Sequence, residues 1–240
     1  MTYRTRSGRS LDRMSREAGA ASGGPGGRNP RNNAGPRERR QTSVAGRGRD
    51  PEQAWSVLRR LAGRYAGYFT TRTVVRSGCE ELIRAALDEG RVLRVGVGLM
   101  RLGDWPPGPL DDYAKWSAWF DGAAAVSHHS AAELHGLGRL RPRFVHMSAS
   151  GGRLPSSTGL VVLRRTLRRD DVESAGAFLV TTPLRTILDL AESGIGQIAL
   201  DEVVADAIAI HRCDGDEIYT AAGALPAHAA QRLRRSVDRA

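Results

Sequence analysis

The sequence predicts an α+β fold with an N-terminal winged helix-turn-helix, and three observations carry that prediction. Residues 53–102 read as a helix, a short helix-turn-helix and a two-stranded wing. Beyond residue 110, helices and three strand candidates precede a run of helices, the order of an α+β domain. The first 50 residues are rich in Gly, Arg, Ser, Asn and Pro and show no apolar period. Such a stretch buries too little surface to offset its ordering entropy, so a disordered basic tail is expected over 1–50. The expected domains are this tail, a winged helix-turn-helix over 51–103 and an α+β domain over 110–240, with the breaker cluster Gly103–Pro109 as linker.

The first helix is expected from Pro51 or Glu52, because Pro and an acid suit a first turn. Trp55, Leu58, Leu61 and Ala62 form its apolar stripe, and Gly63 and Gly67 end it. Tyr68-Phe69 reads as a short extended piece. Thr70 or Thr71 caps a second helix through Ser77, and Gly78 makes the turn. The third helix, Glu80–Glu89, buries Leu82, Ile83, Ala86 and Leu87, and Gly90 closes it. Val92–Val95 and Leu99–Leu102 around Gly96-Val97-Gly98 are a hairpin signal.

After the linker, a helix is expected over Asp111–Asp121 and another over Ser130–His135. Strands are expected at Phe144–Ala149, Leu160–Leu167 and Ala177–Thr181. Helices follow at Pro183–Glu192, Ile198–Ile210, Asp216–Ala224 and Ala227–Arg239.

The net charge of +10 is unevenly placed. The first 50 residues hold 12 Arg against four acids, whereas the remaining 190 hold 24 bases against 22 acids. A basic tail attracts polyanions without sequence preference, so the high pI says little about the folded part. Lys115 is the single lysine, and the Arg excess fits a GC-rich coding bias as well as a basic arm. A mis-set start is the alternative reading of residues 1–50, with Met14 and Val44 as later starts. Cys79 and Cys213 lack metal-ligand spacing, and two distant cysteines fit a reducing cytoplasm. No apolar run approaches the roughly 18 residues of a membrane span, and no apolar core of a secretory signal is present.

A winged module sets its third helix in the major groove while the wing touches the flanking backbone. The expected DNA-contacting residues are Arg72 and Arg76 on the second helix, Arg91, Arg94 and Arg101 on the wing, and Arg84 on the third helix. Arg84 is the candidate base reader, since Arg pairs bidentately with guanine. Glu80, Glu81, Asp88 and Glu89 share the third helix and oppose phosphates. The competing reading is a structural or protein-binding module with solvated arginines.

The stretches Gly67-Tyr-Phe-Thr-Thr-Arg72, Ser77-Gly78 and Leu93-Arg-Val-Gly-Val-Gly98 resemble the N-terminal winged domain of AbiEi-type antitoxins, which belong to type IV toxin–antitoxin systems. Val126-Ser-His-His-Ser-Ala-Ala-Glu-Leu-His-Gly-Leu137 is similar to that family's helix-opening segment, and Thr181-Thr-Pro-Leu-Arg-Thr-Ile-Leu-Asp-Leu-Ala191 to its strand-to-helix segment. The pieces keep the family's order over about residues 53–225. The resemblance implies a winged domain that binds double-stranded promoter DNA and autoregulates transcription. It also implies an antitoxin-like second domain that counteracts a cognate nucleotidyltransferase-type toxin. The sequence departs from the family in its acidic third helix and in Met100, which stands where an aromatic is usual. Longer relatives continue into a nuclease-like domain, and none is expected here.

In the second region, His128, His129, His135 and His146 invite a metal or catalytic reading. No Cys or acid cluster completes a zinc set, and a Ser130–His129–Asp189 triad lacks a nucleophile elbow. Structural or capping roles, no metal, no cofactor and no catalysis are expected. Arg185 and Asp189 at i, i+4 read as a surface pair, with partner binding as the alternative for Arg185. Trp116, Trp119 and Phe120 read as core. Trp116 and Trp119 become partner-binding candidates where exposed. Thr70–Arg72, Gly96–Gly98 and Ser150-Gly-Gly152 hold no phosphate-loop motif, and their glycines fit turns. The combined expectation is a non-enzymatic cytoplasmic regulator; the rival is an interaction module without DNA, an orphan relative.

Overall fold

The computed structural model describes residues 50–155 and 157–240, so the expected tail lies outside the described residues apart from Asp50. The described residues fall within one compact unit, α+β with two sheets.

The first sheet is built from the N-terminal segment. Helix α1 (Pro51–Gly63) is capped by the Asp50 carboxylate, which accepts from the Glu52 N–H, and Pro51 opens its first turn. Its buried stripe is Ala54, Leu58 and Ala62, with Trp55 and Leu61 half-buried. Strand β1 (Tyr68–Thr70) leads directly into α2 (Thr71–Ser77). Thr70 and Thr73 satisfy each other's backbone N–H groups in a capping box. Gly78 adopts φ +68°, the left-handed conformation that ends α2 and starts α3 (Glu80–Asp88) within two residues. Strands β2 (Val92–Gly96) and β3 (Leu99–Leu102) complete an antiparallel sheet of order β1-β3-β2. A register shift between Arg94 and Gly96 twists the free edge. Phe69, Leu58, Val74, Ile83, Val92 and Leu102 fill the core beneath it.

The segment 103–109 carries no helix or strand, but it is packed. Trp105 lies against the same core, and a Cβ on Gly67 would come within 2.6 Å of its ring. Gly67 also sits at φ +83°, so two constraints make this position glycine.

The second sheet is mixed. Helix α4 (Asp111–Trp119) precedes β4 (Ala124–Val126), α5 (His128–His135), β5 (Val145–Ala149) and β6 (Leu160–Arg164). Then come β7 (Val172–Ser174), β8 (Leu179–Thr181) and the helices α6 (Pro183–Ser193), α7 (Gln197–Ala209), α8 (Gly215–Ala221) and α9 (Ala227–Val237). The strand order is β6-β5-β4-β8-β7, with β4 antiparallel to β5 and parallel to β8. Trp116 and Phe120 pack on this sheet with Val126, Met147, Phe178 and Val180. A second core, of Leu137, Ile187, Leu200, Val203, Ile218 and Leu233, holds the helices together.

Strands β4 and β7 were not expected from the sequence. Both are three residues long, and Ala-Ala-Val in β4 is buried on both faces, so it lacks the alternation that marks a strand. Helix α5 starts at His128 rather than Ser130, and α4 stops at Trp119 because Asp121 (φ +56°) and Gly122 (φ +76°) turn left-handed.

Candidate functional site

The three-stranded-sheet segment presents the expected arginines in two different states. Arg72 on α2, Arg84 on α3 and Arg94 on β2 are exposed, with no side-chain partner among the described residues. The other three are engaged. Arg76 holds both oxygens of Asp121, at 2.5 and 2.9 Å. Arg91 donates to Glu89 at 2.5 Å and lies over Trp55, 4.8 Å from the ring centroid. Arg101 has only 11% of its side chain exposed. It sits 3.3 Å from Asp111, donates to the Pro106 carbonyl and covers the ring of Tyr68.

The reason for the split is placement. Arg101 lies on the central strand β3, where a neighbour is available on both sides. Arg94 lies on the edge strand and Arg84 on the outer face of α3. Glu80, Glu81, Asp88 and Glu89 are exposed beside Arg84, so the α3 surface is acidic around one guanidinium. The partner Asp121 was not anticipated. The Asp121-Gly122 pair is a turn signal that could have found it by ending α4 earlier.

In the second region, two parallel strands each run into a helix: β4 through Ser127 into α5, and β8 through Thr182 into α6. Thr182 accepts from the Arg185 N–H, and Pro183 occupies the first helical position. His128 has φ +52° and is 1% exposed. Its Nδ1 is 2.9 Å from the Ser127 hydroxyl, to which Ser148 donates at 2.8 Å. Burial, with the Arg165 charge next, pushes the His128 pKa down to about 3, so the imidazole is neutral. His129 and His146 stack at 5.0 Å between centroids, and burial lowers both. His135 Nε2 is 2.7 Å from the Thr181 carbonyl and thereby ties α5 to β8. Among the described residues no group of three or more His, Cys, Asp or Glu could hold a metal ion.

The Arg185–Asp189 pair is not a surface pair. Asp189 is 1% exposed, and its Oδ1 receives Arg185 at 2.9 Å with Arg165 3.6 Å from the same oxygen. Arg165 also binds Glu192 at 2.8 Å, and Arg185 lies 3.6 Å from Asp171. Burial raises the Asp189 pKa against the pull of both arginines. The i, i+4 spacing was visible in the sequence, but Arg165 lies 24 positions before Asp189, and only the sheet brings it there. Arg185 is thus occupied within the fold. Trp116 is 8% exposed and part of the core. Trp119 is half-buried and donates its indole N–H to the Arg153 carbonyl at 2.8 Å.

Residues 123–238 match the family model described as the AbiEi antitoxin C-terminal domain, which is consistent with an AbiEi-type antitoxin family and supports an antitoxin-type role. Among solved structures, the RV2827C protein from Mycobacterium tuberculosis is similar at 20% identity, over 79% of this chain and 78% of that chain, with a TM-score of 0.49. No curated protein matches the chain. No helix among the described residues is long and apolar enough to cross a membrane.

Proposed function

We propose that the chain is an antitoxin-like transcriptional regulator. Residues 51–103 act as a winged helix-turn-helix that binds double-stranded promoter DNA and represses the chain's own operon. Residues 110–240 counteract a nucleotidyltransferase-type toxin, without themselves being an enzyme. The antitoxin side of this reading is supported by the family match over 123–238.

The observation that carries the DNA side is the state of the arginines. Arg72, Arg84 and Arg94 come from helix two, helix three and the wing, and all three are exposed, with no ion-pair partner among the described residues. These are the three elements a winged module uses to hold a duplex. Arg76, Arg91 and Arg101 are held by the fold and contribute less.

The acidic face of α3 favours a second reading, in which the same module meets a basic protein partner and no DNA. A salt-titrated mobility-shift assay on the chain's own upstream DNA and a scrambled duplex separates the two. A preference for upstream DNA that weakens with salt supports the repressor. Equal, negligible binding to both duplexes at low salt rejects it in favour of the interaction module.

A further inference from the structure

We infer that the cleft between α2 and the loop after β5 is a binding site for a small phosphorylated aromatic compound, a nucleoside monophosphate or an aryl phosphate. The cleft has a volume of about 460 Å³, within the usual range for small-ligand sites. Its walls come from both sheets' regions: Arg72 and Gly98 on one side, Ser150–Arg153 on the other, with Trp119 and Phe120 on the wall between them.

Three features select the ligand class. First, charge: Arg72 and Arg153 are exposed and neither has a carboxylate partner among the described residues. The one acid in the lining, Asp121, is already neutralised by Arg76. The cleft therefore carries two uncompensated guanidiniums, whose planar forks suit the oxygens of a phosphate. Second, the wall is aromatic. Trp119 is half-exposed there and Phe120 lies behind it, a surface for a flat ring beside the charges. Third, the walls are held in place. The Trp119 indole is bound to the Arg153 carbonyl at 2.8 Å, which fixes the backbone that carries one guanidinium. Arg76 and Asp121 tie α2, which carries the other, to the turn after α4. Gly152 at φ +104° brings its loop close enough that a Cβ there would lie 3.7 Å from the Phe120 ring. A recessed cleft with a ring-bearing wall fits a small molecule better than the convex backbone of a duplex.

The test uses the full chain without DNA, so its outcome is independent of the shift assay in which Arg72 also takes part. Adenosine 5′-monophosphate and phenyl phosphate are titrated by calorimetry, with adenosine and inorganic phosphate as the two halves of the proposed ligand. The Trp119 indole N–H resonance, assigned by its loss in Trp119→Phe, reports location. At least one of the two probes should bind about tenfold or more tightly than either half and shift the Trp119 signal. Arg72→Ala and Arg153→Ala should each weaken that binding about tenfold or more, with unchanged thermal unfolding because both side chains are exposed. Tightest binding by the nucleotide identifies the first source, and equal binding by phenyl phosphate identifies the second. Binding by neither probe, binding that survives both substitutions, or binding that leaves the Trp119 signal unmoved overturns the assignment.

Discussion

Arg76 grips Asp121 through both guanidinium nitrogens, at 2.5 and 2.9 Å, and so joins α2 to the turn that follows α4. The pair spans 45 residues of sequence and links the segment carrying the three-stranded sheet to the helix that packs on the five-stranded one. It works beside a buried counterpart. Tyr68 packs on Ala114 and Ala118 of α4, and its hydroxyl donates to Asp111 at 3.3 Å.

Because half of the Arg76 side chain is exposed, Arg76→Ala should cost only about 0.5–1 kcal/mol of stability despite its good geometry. It should also leave DNA affinity nearly unchanged, since this guanidinium is already committed. Denaturant unfolding and a shift assay on the same variant check both halves. A large loss of DNA affinity would show that Arg76 leaves Asp121 for phosphate.

Arg101 and Arg94 should behave in opposite ways although both lie on the β2–β3 hairpin. Arg101→Ala leaves Asp111 without its ion pair and uncovers Tyr68, and should cost about 1–3 kcal/mol of stability. Arg94→Ala should be neutral in stability and weaken binding to upstream and random DNA alike. Arg84→Ala should cost specificity, about 1–3 kcal/mol if it reads a guanine. Glu80→Gln and Glu81→Gln should tighten non-specific binding, most visibly at low salt. Unfolding curves and competition shift assays distinguish these outcomes.

Arg185→Ala should destabilise the second region by about 2–4 kcal/mol, well beyond a surface pair, because it leaves Asp189 buried with Arg165 alone at 3.6 Å. The Asp189 pKa, already raised by burial, should rise further. Thermal unfolding of the variant at neutral and mildly acid pH measures both effects. A loss under about 0.5 kcal/mol would show that the pair is solvated after all.

Stability should fall on acidification below about pH 6.5, and His128 should contribute to that fall. Its folded pKa of about 3 lies below the ordinary 6.5, so between those values the unfolded chain binds the extra proton. The His128 contribution is then fully present above pH 6.5 and lost toward pH 3, at about 1.4 kcal/mol per pH unit. His129 and His146 are also lowered by burial and act in the same direction. Asp189, whose pKa burial raises, acts in the opposite direction, so the His128 contribution is read as the difference between the parent and the variant over about pH 5–7. His128→Gln should flatten the slope there, read from unfolding midpoints. An unchanged slope would place the effect on the other two histidines.

Local chemistry was legible wherever a residue type imposes a backbone state on its neighbours. Pro51, Thr70, Gly78, Gly90 and Thr182-Pro183 delimit helices by capping and steric rules that need no tertiary partner, and those boundaries fall within a residue or two of the expected ones. The strands at 145–149 and 160–164 were legible from their apolar pattern, although the second stops three residues short of the expected Leu167. Strands β4 and β7 were not, because three residues carry too little pattern and exist as strands only through their neighbours in the sheet. The arginines make the same division sharper. Six of them look alike in the chain, and their spacing places them on two helices and a hairpin. Which are free is decided by acids and carbonyls far away in sequence: Asp121 for Arg76, Asp111 and Pro106 for Arg101. Asp189 is likewise one more helical acid until Arg165, one residue past the end of β6, arrives beside it. The sequence by itself determined where the backbone turns and which faces are apolar, because those depend on local sterics and hydrophobic period. The tertiary structure alone decided which charges are compensated, because Coulomb attraction and desolvation act through space.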